Sequence, residues 1–207
     1  LSAAVAVNSY MEVYLRSVSR LAIESDPGVV IGAPGTVDGV SLLKSRPGYG
    51  FPEETVHFTK GDWNTRIAHY ERLFGKAPAA LKTRAKELNE LRRLRNGVGH
   101  AFGRSVDDYE SAALLAEPKP MMRLSEERFA GWLRLAEEVV SAIDKHLRER
   151  HIGQYERLLF YHRWRSRPEG RRAPEDAAAL QRAFLAEWGE AVGLETLRGL
   201  IEWYKEC

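Results

Sequence analysis

The chain has 207 residues, with 31 Lys or Arg against 29 Asp or Glu, a net charge of +2 and 44% apolar residues. That supports one substantial domain with a real core, or one domain with a helical appendage, and no apolar run approaches the roughly 18 residues needed to cross a bilayer. A single cysteine, Cys207, excludes an internal disulfide and a thiolate metal site, and it suits a reducing, cytoplasmic setting.

Leu1 to Val7 is apolar and lacks the basic start of a secretory signal, so it reads as the first turns of a helix; a first residue other than Met fits a processed or trimmed chain. That helix is expected over about Val5 to Glu24, with Tyr10, Val13, Tyr14, Val18, Leu21 and Ala22 as its apolar stripe, and Asp26-Pro27-Gly28 ends it. From Pro27 to Gly61 the texture changes, with seven glycines and four prolines. Within this insertion Val29-Val30-Ile31 and Val40-Ser41-Leu42-Leu43 are expected to pair as a small hairpin. Helical pattern resumes at Asp62, an N-cap, and continues through Trp63, Ile67, Tyr70, Leu73 and Phe74 to Gly75.

The next helix is expected to start near Pro78 and to continue past residue 96. A looser segment follows from Arg104 to Pro120, and Ser125 opens another helix through Phe129, Trp132, Leu135, Val139, Val140, Ile143 and Leu147. Three shorter helices are expected after His151, over Tyr155 to Arg165, Glu175 to Trp188 and Leu194 to Lys205. With no internal repeat and little strand signal, the fold class is all-α: an antiparallel helical bundle over residues 1–150, with the insertion at about 27–61, and a C-terminal helical extension over 151–207.

The chemistry concentrates in Arg95-Asn96-Gly97-Val98-Gly99-His100. At about 100° per residue, Leu91, Leu94, Val98 and Phe102 share one stripe, and Asn89, Arg93, Asn96 and His100 lie opposite. Asn96 and His100, four apart, stack on one face. Arg95 lies about 140° from His100 around the helix, so the two converge only if a second copy of the helix packs against the first about a two-fold axis. A competing reading is structural: Asn96-Gly97 is a favoured turn dipeptide, and two glycines cost roughly 1 kcal/mol each within a helix. On that reading the helix ends at Asn96 and Arg95 is a solvated charge. If the helix instead runs on, the glycines admit another backbone or a phosphate close to the chain. His57, His69, His146, His151 and His162 show no strong metal-ligand spacing, so no metal and no cofactor is expected.

The spacing Arg95-Asn96-x-x-x-His100 resembles the R-x(4–6)-H signature of HEPN domains, and the similarity covers about Val7 to Arg148. The resemblance implies an antiparallel helical bundle, a homodimer with a composite RNA-cleaving cleft at its interface, and a role in toxin–antitoxin systems or anti-phage defence. It implies that Arg95 and His100 are the catalytic pair, with Asn96 beside the arginine and Glu87 or Glu90 as an upstream acid. The chemistry is consistent with those residues: imidazole does acid–base work near neutrality, and guanidinium offers a planar fork to phosphate oxygens. RNA is the expected substrate, with an antitoxin or regulatory protein as a further partner. The alternative is a catalytically inactive helical module of the same fold that dimerises or binds RNA or an antitoxin. Arg92, Arg93 and Arg104 are expected to line the cleft of a nuclease; in a binding module they would be tied up in ion pairs with Glu87, Glu90, Asp107 and Asp108.

Charge is uneven beyond the motif. Nine Lys or Arg face four acids from Asp144 to Arg172, whereas three bases face seven acids from Ala173 to Cys207. Arg163, Trp164, Arg165 and Arg167 mix cations with an aromatic, the combination that captures single-stranded RNA. The competing reading puts Tyr161 and Trp164 in the core and leaves the arginines as solvated surface.

Overall fold

The computed structural model describes the backbone of residues 1–45, 50–101 and 123–207, with the side chains of 99–101 outside the described set. The helices are α1 (Ser2–Ser25), α2 (Gly39–Ser45), α3 (Pro52–Val56), α4 (Trp63–Phe74), α5 (Ala79–Thr83) and α6 (Ala85–Ala101), then α7 (Glu126–Leu147), α8 (Tyr155–Trp164), α9 (Pro168–Arg172), α10 (Ala177–Trp188) and α11 (Leu194–Glu206). Every regular element among the described residues is helical, so the fold class is all-α, and none of these helices is long and apolar enough to cross a membrane. Two compact units interleave along the sequence: Leu1–Arg20 with Phe51–Glu149, and Leu21–Gly50 with Arg150–Cys207.

In the first unit α4 packs on α6, and α5 and α6 pack on α7. Asp62 caps α4 by accepting from the Thr65 N–H at 2.8 Å, and Gly75 ends it in a positive-φ conformation that favours glycine. Ser125 caps α7, which buries Trp132, Leu135, Val139, Ile143 and Leu147 at helical spacing. Two expectations need correction. The single helix from Pro78 is broken at Arg84, whose backbone (φ −94°, ψ 4°) leaves the helical region, giving α5 and α6. The apolar stripe assigned to α1 is inward only in part: Val18 and Ala22 are buried, whereas Tyr10 is 76% and Val13 64% exposed. The inward side carries Ala4, Asn8, Met11, Leu15, Val18, Ser19 and Ala22. Counting apolar positions missed its N-terminal half, where Asn8 interrupts the pattern.

The second unit is built on aromatic packing. Phe160 and Phe184 stack with centroids 4.2 Å apart, Tyr161 meets Tyr204 edge-on, and Trp164, Leu180, Leu197 and Ile201 complete the core. The expected hairpin is replaced by helix: Pro27–Ile31 forms a 3₁₀ turn and Val40 to Leu43 lie within α2. Asp38 decides the second case by accepting the N–H groups of Val40 and Ser41, which starts a helix where a strand would leave both donors unspent. Gly39 lies against the Glu24 and Ser25 carbonyls, where a Cβ would collide.

Candidate functional site

The motif segment is helical throughout. α6 continues through Asn96, Gly97, Val98 and Gly99 to Ala101, so the reading in which the helix stops at Asn96 is ruled out. Leu88, Leu91 and Leu94 are buried on its inner face. That burial fixes the rotation of α6 and therefore the direction of Arg95.

Arg95 reaches α1. Its Nη2 lies 2.5 Å from Glu12 Oε2, and the other oxygen of that carboxylate receives Arg66 Nη2 from α4 at 2.9 Å. Arg66 also donates to the Thr59 carbonyl at 2.7 Å and packs over the Trp63 ring. One carboxylate thus serves two guanidiniums at the meeting of three helices, so among the described residues this cluster carries a surplus positive charge. Arg66 is 3% exposed, and its Nε and Nη1, the Nε of Arg95 and the Nδ2 of nearly fully buried Asn8 have no hydrogen-bond partner among the described residues. Burial, with Arg92 and Arg95 close by, works against the Arg66 charge and lowers its pKa, while Glu12 opposes that shift. Unspent buried donors beside a surplus positive charge form an environment that an anion would complete.

The remaining expected site residues are placed as follows. Arg92 donates from Nε to the Gly61 carbonyl at 2.8 Å, and Asn89 accepts the Trp63 N–H at 2.9 Å, so both hold the start of α4. Arg93 is exposed and Asn96 half-buried. Glu87 pairs with Arg84 and Glu90 is exposed; the acid on Arg95 is Glu12, which the sequence reading had not named. The His100 side chain, Phe102, Arg104, Asp107, Asp108 and the segment to Pro120 lie outside the described residues.

Two overlooked residues thus set the surroundings of the motif arginine: Glu12 pairs with it, and Arg66 shares that carboxylate. Arg66 did leave a signal, since it sits within the apolar stripe of Trp63, Ile67, Tyr70 and Phe74, where a charge must find a partner. Glu12 follows Asn8 by one turn on the inward side of α1, a side that apolar counting did not select.

In the second unit the expected RNA-capture residues are dispersed. Trp164 is 2% exposed and belongs to the core, so the expected stacking surface is withdrawn. Arg165 lies over the Tyr204 ring at 5.0 Å, Arg167 pairs with Glu187 at 2.7 Å, and Arg163 is exposed. Among the described residues no group of three or more His, Cys, Asp or Glu could hold a metal ion. No family model, curated protein or solved structure matches the chain.

Proposed function

We propose that this chain is a metal-independent endoribonuclease of the HEPN type, a toxin or anti-phage effector, acting through Arg95, Asn96 and His100 in a homodimer. The observation that supports the reading is the setting of Arg95: a motif arginine held by Glu12 beside a second, buried arginine, with donors unspent and positive charge in excess among the described residues. Arg95 would hold a non-bridging phosphate oxygen while the ribose 2′-hydroxyl attacks phosphorus. The bond to the 5′-oxygen breaks, a base takes the 2′ proton and an acid gives one to the leaving oxygen, so the product ends in a 2′,3′-cyclic phosphate. A dimer supplies two copies of His100, one for each proton.

A second reading has its own support. Arg95 and Arg92 are already engaged by Glu12 and the Gly61 carbonyl, as they would be in a helical module that binds RNA or an antitoxin without cutting. Incubating the protein with RNA in EDTA separates the two. The nuclease reading expects cyclic-phosphate ends and a loss of at least roughly 100-fold in His100→Ala. RNA bound but left intact by the wild type selects the module.

A further inference from the structure

The second unit contains an open cleft of about 400 Å³, independent of the arginine-bearing site. Its volume falls within the range of small-molecule sites. Leu158 of α8, Leu200 and Trp203 of α11, and Val40 of α2 supply an apolar wall. Trp203 is 44% exposed, a large aromatic surface that the fold itself leaves uncovered.

Two residues give the cleft chemical character. Asp38 stands in its lining with one oxygen accepting the Val40 N–H and the other accepting the Ser41 N–H and hydroxyl. Burial opposes ionisation here, but hydrogen bonds from Ser41, Val40 and the Cys207 thiol outweigh it and hold the carboxyl below its usual range. The cleft therefore presents a fixed negative charge beside an aromatic wall. Gly199 is the second residue. It lies inside α11, where glycine costs roughly 1 kcal/mol relative to alanine. A Cβ there would meet nothing within 4 Å, so packing gives no reason for glycine. A larger side chain there would enter open space at the lining of the cleft.

We propose that this cleft binds a small organic ammonium ion with an apolar or aromatic body, the amine on Asp38 and the body along Leu158, Leu200 and Trp203. The ammonium would complete the carboxylate's charge and gain a cation–π contact with Trp203, whereas an anion of the same shape would be repelled. The probes are 2-phenylethylamine and 3-phenylpropanoate, titrated calorimetrically into the full chain while the tryptophan indole resonances are followed by NMR. The amine should bind with a Kd in about the millimolar range, at least about tenfold more tightly than the acid. Gly199→Leu, whose side chain enters open space, should abolish binding with helicity unchanged. Asp38→Asn, which keeps a capping side chain, should weaken the amine by about tenfold or more and leave the acid no worse. No binding of the amine, equal binding of both probes, or indifference to both substitutions would overturn the proposal.

Discussion

The two units use arginine in opposite ways. In the second, the arginines with a partner meet it near the surface: Arg157 has Glu190, Arg167 has Glu187, and Arg165 lies over the Tyr161 and Tyr204 rings. In the first, Arg66 and Arg95 share Glu12 at the junction of three helices, one of them almost fully buried and both with donors left over among the described residues. A matched surface pair contributes little and has little left to offer a polyanion. A shared, desolvated carboxylate is structurally expensive, and it leaves positive charge at a fixed place.

The comparison can be broken most easily at Glu12. Glu12→Ala strands two guanidiniums, one of them buried, and should cost about 3–5 kcal/mol in urea unfolding followed by circular dichroism. A loss below about 1 kcal/mol would place the pair with ordinary surface bridges.

Acid should weaken both units. Burial is the leading cause lowering the pKa of His69 and of His162, from an ordinary value of 6.5. Below that value the unfolded chain takes up protons that the folded histidines refuse, so this stability is complete above about pH 6.5 and is lost as the pH falls through the lower folded values. Melting temperature should drop between about pH 7.5 and 5.5, and His69→Gln with His162→Gln should flatten the drop. A melting temperature that rises on acidification would reverse the sign. The smallest effect belongs to Arg167→Ala, expected to cost under about 1 kcal/mol because both partners are largely exposed; a larger loss would remove the contrast between the units.

How much of this was legible depended on burial pattern. α4 and α7 could be read almost to the residue, since Asp62 and Ser125 cap them and apolar residues recur at helical spacing along their inward faces. α1 was found and its C-terminal half turned correctly, with Val18 and Ala22 buried, but its inward side also contains Asn8 and Ser19, while Tyr10 and Val13 face water. The 27–45 segment was misread because its apolar runs are short, and the Asp38 cap, a local hydrogen-bond choice, decides for helix. Arg95 was singled out by its motif spacing. Glu12, distant in sequence, could be assigned to it only once three helices had been brought together.

The central claim is that Arg95 is a phosphate-binding residue of a ribonuclease and not a structural cation. The direct measurement is the rate of RNA cleavage in EDTA by Arg95→Ala, at a temperature where circular dichroism shows the variant fully folded. The account predicts a rate lowered by at least roughly 100-fold with the helical signal unchanged. Cleavage at the wild-type rate by the folded variant would contradict it.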